Sequence, residues 1–285
     1  MAENMSSVLR ELFARQPVLW VAGAHNALSA KLVERNSFDA IWASSFEIST
    51  TFGVPDASIL TMSEFVEASR SMAESVKIPI IADCDSGYGD AANVYHMTRK
   101  YEAAGVAAVC IEDKEFPKTN SFIAGRQNLL AVELFVEKIQ AAVRGRVSPD
   151  LMVFARIEAL VANHGMDEAL RRAHAYADAQ ADVILIHSKA KTPDEVLEFA
   201  RRWQNRTPLA IIPTTYPAIT QEQIRDAGVK VVIYANHAIR AAVRAMDQIL
   251  ARIAEMKSTS AVEGEIAAMN ELFDLQGMGN LKKIR

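Results

Sequence analysis

The sequence predicts an α/β fold, a single (β/α)8 TIM-type barrel, on three observations. Short apolar runs rich in β-branched residues occur eight times, each too short for a buried helix and reading as a strand covered on both faces. Amphipathic stretches separate most of them. The 285 residues suit one barrel, which takes about 250, and no Pro/Ser/Gly-rich linker divides the chain. A doubly wound open sheet is the runner-up, but no Gly-x-Gly-x-x-Gly follows the first strand.

Residues 1–16 alternate apolar and polar at helical spacing without a long hydrophobic region, so they read as a helix and not as a signal peptide. The strands are read at 17–23, 38–44, 78–85, 107–113, 151–158, 181–188, 208–214 and 230–236. Between them, 93–105, 167–180 and 192–203 carry helical periodicity, and Ala104–Gly105 and Ala227–Gly228 read as helix C-caps. Residues 114–128, after the fourth strand, form a polar loop bearing Pro and Gly, of the kind that closes over sites as a lid. Residues 264–278 read as an extra amphipathic helix whose apolar face is Ile266, Met269, Leu272, Phe273 and Leu275. That face needs cover, and a neighbouring subunit is a natural place for it. The whole of 1–285 is read as one domain.

Half of the residues are apolar and 23% are charged, with a net charge of −4. No basic stripe is available to neutralise phosphates, which excludes nucleic acid or an anionic membrane as the main partner. No run approaches the ~18 apolar residues of a membrane span. Two cysteines, both inside apolar runs, make no disulfide framework and fit a reducing, cytoplasmic compartment.

In a barrel, chemistry gathers where the strands end. The strand ends here carry His25 and Asn26, Ser44 and Ser45, Asp83 and Asp85, Glu112 and Asp113, Arg156 and Glu158, His187 and Ser188, Thr214 and Thr215, and Asn236 and His237. Alternation places Asp83 and Asp85 on one face and Cys84 on the other, among the helices; the same logic is applied to Cys110. Glu112 on the next strand can meet the aspartates. Three adjacent carboxylates stay ionised together only around a cation, and a hard oxygen set suits Mg²⁺ or Mn²⁺. The bland alternative is an acid-rich rim held by helix N-termini. Arg156 reads as an anion clamp or as a salt bridge to Glu158. His187 reads as a ligand, an acid/base or a satisfied core histidine. Lys118 is a surface charge or a lid cation. His96, His164 and His174 read as solvated.

The stretches AHNALSA (24–30), DCDSGYGD (83–90), EDKEFPKTNSF (112–122), ARIEA (155–159), HSK (187–189) and ANH (235–237) resemble the phosphoenolpyruvate mutase branch of the isocitrate lyase superfamily, in the same order from about 17 to 240. The resemblance implies a Mg²⁺-dependent barrel enzyme, with Mn²⁺ or Co²⁺ as substitutes, forming dimers or tetramers through a swapped C-terminal helix. It implies Asp83 as direct metal ligand, with Asp56, Asp85 and Glu112 holding metal-bound waters. Trp42 and the backbone at Ser44, Ser45 and Phe46 would take the substrate carboxylate, Arg156 and His187 its anionic end. Lys118, Thr119, Asn120 and Ser121 would form the gating loop. The loop has no cysteine, against thiol-dependent C–C lyase chemistry. ASSF (43–46), DSGYGD (85–90) and PTTY (213–216) depart from the mutase pattern. The expectation is hydrolysis of the P–C bond of 3-phosphonopyruvate to pyruvate and phosphate. The mutase reaction is the alternative, then an oxaloacetate-type C–C hydrolase or lyase, and last a barrel with no enzymatic role.

Overall fold

In the computed structural model, which describes residues 4–280 except 124 and 126, the eight strands close into a parallel barrel in sequence order. Residues 1–3 and 281–285 of the expected domain, and 124 and 126 of the expected lid, lie outside the described residues. The order is α1 (Met5–Arg15), β1 (Leu19–Ala24), α2 (Ala27–Arg35), β2 (Ala40–Ala43), α3 (Ser45–Thr51), α4 (Met62–Ala73), β3 (Ile80–Asp83), α5 (Ala91–Ala103), β4 (Ala108–Glu112), α6 (Val132–Gly145), β5 (Met152–Ile157), α7 (Met166–Asp178), β6 (Val183–Ile186), α8 (Asp194–Trp203), β7 (Leu209–Ile211), α9 (Gln221–Asp226), β8 (Val229–Tyr234), α10 (His237–Met256) and α11 (Met269–Gln276). All eight apolar runs hold the expected strands. Gly105 and Gly228 take positive φ behind α5 and α9, as the C-cap reading requires.

The chain divides into two compact units, Met1–Asn236 with the barrel and His237–Arg285 with α10 and α11. In the second unit the expected helix at 264–278 is shorter. A 3₁₀ turn covers Glu263–Glu265, Ile266 is extended, and α11 begins only at Met269. Ile266 therefore stands outside the helical face to which periodicity assigned it.

Strand alternation sorts the barrel's apolar residues into two layers. Leu19, Val21, Trp42, Ile81, Phe154, Leu185 and Ile233 fill the interior, while Ile41, Ile80, Val109, Ile111, Val153 and Ile184 pack outward under the helices. The amphipathic α1 adds Leu9 to the inner layer, and its Phe13 meets Phe154 edge-on at 6.2 Å. Arg10 of α1 binds the carbonyls of Pro149 and Asp150 and the carboxylate of Asp182, all just before β5 and β6. Thus α1 closes the N-terminal end of the barrel, and the opposite mouth is left for the site. Cys84 packs outward as expected, but Cys110 belongs to the inner layer, which corrects the sequence reading. Cys110 shares its parity with Glu112 and therefore points with it into the barrel.

Gly23, at the end of β1, stands where backbone and side chains crowd together. A Cβ there would run into Glu47 Oε1 and lie 2.6 Å from the Ala235 carbonyl oxygen, whereas Gly264 has open space around it. Gly23→Ala is expected to lower stability by about 1–3 kcal/mol in urea unfolding, as overpacking does, and Gly264→Ala to stay within about 0.5 kcal/mol of the parent.

Candidate active site

The C-terminal mouth of the barrel holds a pocket lined by Trp42, Ser44, Phe46, Asp56, Asp83, Lys118, Asn120, Ser121, Phe122, Arg156, His187, Ile212, Thr214, Ala235 and Asn236. Several of these side chains arrive there from strands or strand ends, and others come from α3 and from the loops after β2 and β4. Trp42 is inside β2, Asp83 is the last residue of β3, Arg156 is near the end of β5, and His187 follows β6 directly. Ser44 caps α3 by accepting from Glu47 N, and Ser45 Oγ donates to Asp83 Oδ2 at 2.9 Å. The start of α3 is thereby tied to the first carboxylate.

One wall is built on Glu158, fully buried. Its Oε1 lies 2.6 Å from Arg156 Nε and 2.7 Å from His187 Nδ1; its Oε2 accepts from Ser121 Oγ at 2.7 Å and lies 3.3 Å from Lys114 Nζ. Burial alone would raise this carboxyl, but Arg156, His187 and Lys114 overcome it and hold Glu158 well below the usual carboxylate range. Burial pulls on Arg156 too, yet Glu158 and Glu112 keep it firmly protonated. His187 is lowered, by burial first, with Glu158 opposing and Arg156 assisting. Lys114, 2% exposed, also donates to the Thr119 carbonyl at 2.9 Å and to Ser121 Oγ at 2.7 Å. The Glu158–Lys114 pair thus holds the loop against the barrel. Because Ser121 spends its single proton on Glu158, it faces Lys114 and Arg156 as an acceptor.

The facing wall is carboxylate. Lys118 Nζ lies 2.7 Å from Asp56 Oδ1 and 2.8 Å from Asp85 Oδ1, and Asn120 Nδ2 donates to Asp56 Oδ2 at 2.7 Å. Lys118 is accordingly held well above its ordinary value, since Asp85 and Asp56 outweigh its burial. Burial raises Asp83 against the opposing pull of Lys118 and Arg156, and pushes Asp85 up to about 7 against that of Lys118. Asp85 Oδ2 and Glu112 Oε1 are buried without a hydrogen-bond partner among the described residues. Burying carboxylate oxygens without partners is costly, and a cation with its bound water would satisfy them. Among the described residues no three His, Cys, Asp or Glu side chains converge as a direct coordination set. The donor set therefore fits a hard cation held by few direct ligands and by water.

Most of the residues singled out in the sequence come together here. Asp85 and Glu112 stand behind the pocket lining, 1% and 2% exposed. Asp85 reaches its place through a left-handed turn (φ 50°) and not by strand alternation, since β3 stops at Asp83. Gly87 and Gly89 take positive φ in the same turn. Thr119 does not join the site: its side chain is exposed, and only its carbonyl is used, by Lys114. Lys118 is buried in the site and not a surface charge. Arg156 is salt-bridged to Glu158 and is also part of the lining. His25 pairs with Glu47 at 2.6 Å, and Asn26 caps α2, both away from the pocket. His96, His164 and His174 are exposed. Lys114 and Phe122 were missed as site residues; Thr214 and Glu158 stood among the strand-end residues, but the place of Glu158 as the hub was not foreseen. Lys114 shares the parity of Glu112, and Glu158 that of Arg156, so strict alternation would have turned both inward.

The family model for phosphoenolpyruvate phosphomutase matches residues 9–254, and this chain belongs to that family, within the phosphoenolpyruvate mutase/isocitrate lyase superfamily. It is 46% identical over 263 residues to the phosphonopyruvate hydrolase of Variovorax sp. (strain Pal2), covering 92% of this chain and 91% of the relative. A solved phosphoenolpyruvate phosphomutase from Streptomyces platensis subsp. rosaceus superposes with a TM-score of 0.96 at 50% identity, over 98% of this chain and 97% of that one. A phosphonopyruvate hydrolase solved in complex with oxalate and Mg²⁺ superposes with a TM-score of 0.93 at 42% identity, over 99% and 98%. The resemblance read from the motifs is thereby shown at the level of the superfamily, and the chain is an enzyme of it.

Glu158→Gln is expected to cost about 3–5 kcal/mol, because it leaves Lys114 buried without its counter-charge and Arg156 with Glu112, 3.4 Å away, in place of a carboxylate at 2.6 Å. A carboxyl held below its unfolded value stabilises above that value. The gap between parent and variant in chemical denaturation should be full at pH 7 and should shrink as pH falls below about 4.3, where the unfolded glutamate takes its proton.

Proposed function

We propose that this enzyme hydrolyses the P–C bond of 3-phosphonopyruvate, giving pyruvate and phosphate. The observation that carries the reading is one pocket with walls of opposite character. The carboxylates of Asp56 and Asp83, with Asp85 and Glu112 behind, face the cluster of Arg156 and His187 around Glu158. Such a pocket suits a substrate with a chelating oxo-acid end and a phosphonyl end. Asp83 would hold Mg²⁺ directly, and Asp56, Asp85 and Glu112 its waters; Mn²⁺ or Co²⁺ would fit the same oxygen set. When bound, the metal supplies Lewis-acid charge neutralisation at the 2-oxo acid. The backbone at Ser44, Ser45 and Phe46, beside Trp42, takes the carboxylate. Arg156 presents its planar fork to the phosphoryl oxygens, whose charge in a loose transition state needs fixed donors. Asn120 and Phe122 cover that end, and Lys114, Lys118 and Ser121 keep the loop shut over it.

The mutase reaction, in which the phosphoryl group returns to the enolate oxygen, is the second reading, favoured by the 50% identical phosphomutase structure. A thiol-dependent C–C lyase is disfavoured, since Cys84 and Cys110 are buried and burial pushes both thiols well up. Exposed apolar side chains on α10 (Val243, Met246, Leu250) and α11 (Met269, Phe273) support a homo-oligomer, a dimer or tetramer built by exchange of the C-terminal helix. Residues 1–285 then act as one functional barrel domain, placed in the cytoplasm by the sequence reading. Among the described residues no helix is long and apolar enough to cross a membrane.

Phosphorus NMR of 3-phosphonopyruvate with enzyme and Mg²⁺ should show inorganic phosphate, and EDTA should stop it. Phosphoenolpyruvate as the product would move the assignment to the mutase, and metal-independent turnover would remove the role given to Asp83.

A further inference from the structure

We propose that His187 Nε2 is the base that takes the proton from the attacking water, with Glu158 as its positioning residue. The proposal rests on the hydrolytic reading, which needs a base that the motifs did not identify. Nδ1 lies 2.7 Å from Glu158 Oε1. Glu158 is ionised among its cations and has no proton to give, so the proton between these two atoms belongs to Nδ1. Arg156 Nη2 also lies 3.0 Å from Nδ1, but it has Ser121 Oγ as another acceptor at 3.4 Å, whereas the carboxylate has no donor role to exchange.

The ring stays neutral for reasons visible around it. Arg156 and Glu158 face it from β5 and the residue after it, and Lys114 acts on it from the segment after β4. Phe122 of the loop meets the ring edge to face at 5.9 Å. Burial and the two cations oppose a second proton more than Glu158 favours it. Nε2 is then an unprotonated acceptor with no hydrogen-bond partner among the described residues, on a side chain that lines the pocket. The other titratable groups of the lining are committed: Lys118 and Arg156 remain protonated, and Asp56 and Asp83 belong to the carboxylate wall. His187 is left as the base, held in one tautomer by a carboxylate, the arrangement that makes a histidine an effective proton acceptor.

The water oxygen bonds to phosphorus while the P–C bond breaks, and its electron pair passes to the pyruvate enolate. One water proton moves to Nε2 and is then delivered to the enolate carbon, giving pyruvate and returning the imidazole to neutral. No oxidant or further reactant is required.

The pH profile of kcat/KM for phosphate release tests this. Wild type should show an acidic limb below the ordinary histidine value of about 6.5, since the neutral ring is the active form. His187→Asn should lose that limb and slow phosphate release by about 10²–10⁴-fold. A variant that keeps the limb, or that releases phosphate at the parent rate, overturns the proposal. Nitrogen NMR of histidine-labelled wild type is independent of any variant's folding. At pH 7 it should show His187 with hydrogen on Nδ1 and a bare Nε2; the opposite tautomer or an imidazolium overturns the proposal. Phosphoenolpyruvate in place of phosphate from wild type overturns the hydrolytic reading itself, a result that no change in the histidine can imitate.

Discussion

Glu158 Oε1 lies 2.6 Å from Arg156 Nε and 2.7 Å from His187 Nδ1, and Oε2 accepts from Ser121 2.7 Å away. A carboxylate buried this completely is tolerable only with such partners, and each partner is in turn fixed by it. The guanidinium is aimed, the imidazole tautomer is chosen, and the loop hydroxyl is drawn down onto the barrel. Asp113 extends the same logic one layer outward, accepting from Glu158 N and from Arg172 and Tyr176 of α7. The active-site face of β5 is therefore positioned from behind as well as from the loop.

The carboxylate wall poses the opposite problem. Burial first, and then the neighbouring carboxylates, raise Asp83 and Asp85, and Lys118 is the cation that pulls the other way, paired with Asp56 and Asp85. The loop therefore grips both walls at once: Lys118 and Asn120 hold the acidic side, while Ser121, with Lys114 at the loop's base, holds the basic side. In the proposed function these same contacts would hold the loop over the site and keep water out.

The barrel was legible because eight buried parallel strands leave eight apolar runs, and because Gly105 and Gly228 mark helix ends. The acids and Arg156 were legible because polar residues closing such runs have few reasons to be there. What alternation alone could not supply was contact across strands. Glu158 meets Lys114, 44 positions earlier, and His187, 29 later, so its place at the hub is set by the barrel's closure. Cys110 was misplaced by treating it like Cys84, although its parity matches Glu112. Asp85 was placed well for an incomplete reason, since a left-handed turn, not a strand, delivers it. The extra helix was over-extended at its start because amphipathic periodicity does not show where the backbone turns extended, as it does at Ile266.

Two walls of opposite character meet across one pocket, and in the proposed function the acidic wall takes the metal. Calorimetric titration of Mg²⁺, alone and with oxalate, into the wild type, Asp83→Ala and Arg156→Ala tests it directly. The account predicts Mg²⁺ binding by wild type and by Arg156→Ala, and its loss in Asp83→Ala, with oxalate binding dependent on the metal. Mg²⁺ binding by Asp83→Ala equal to that of wild type would contradict it.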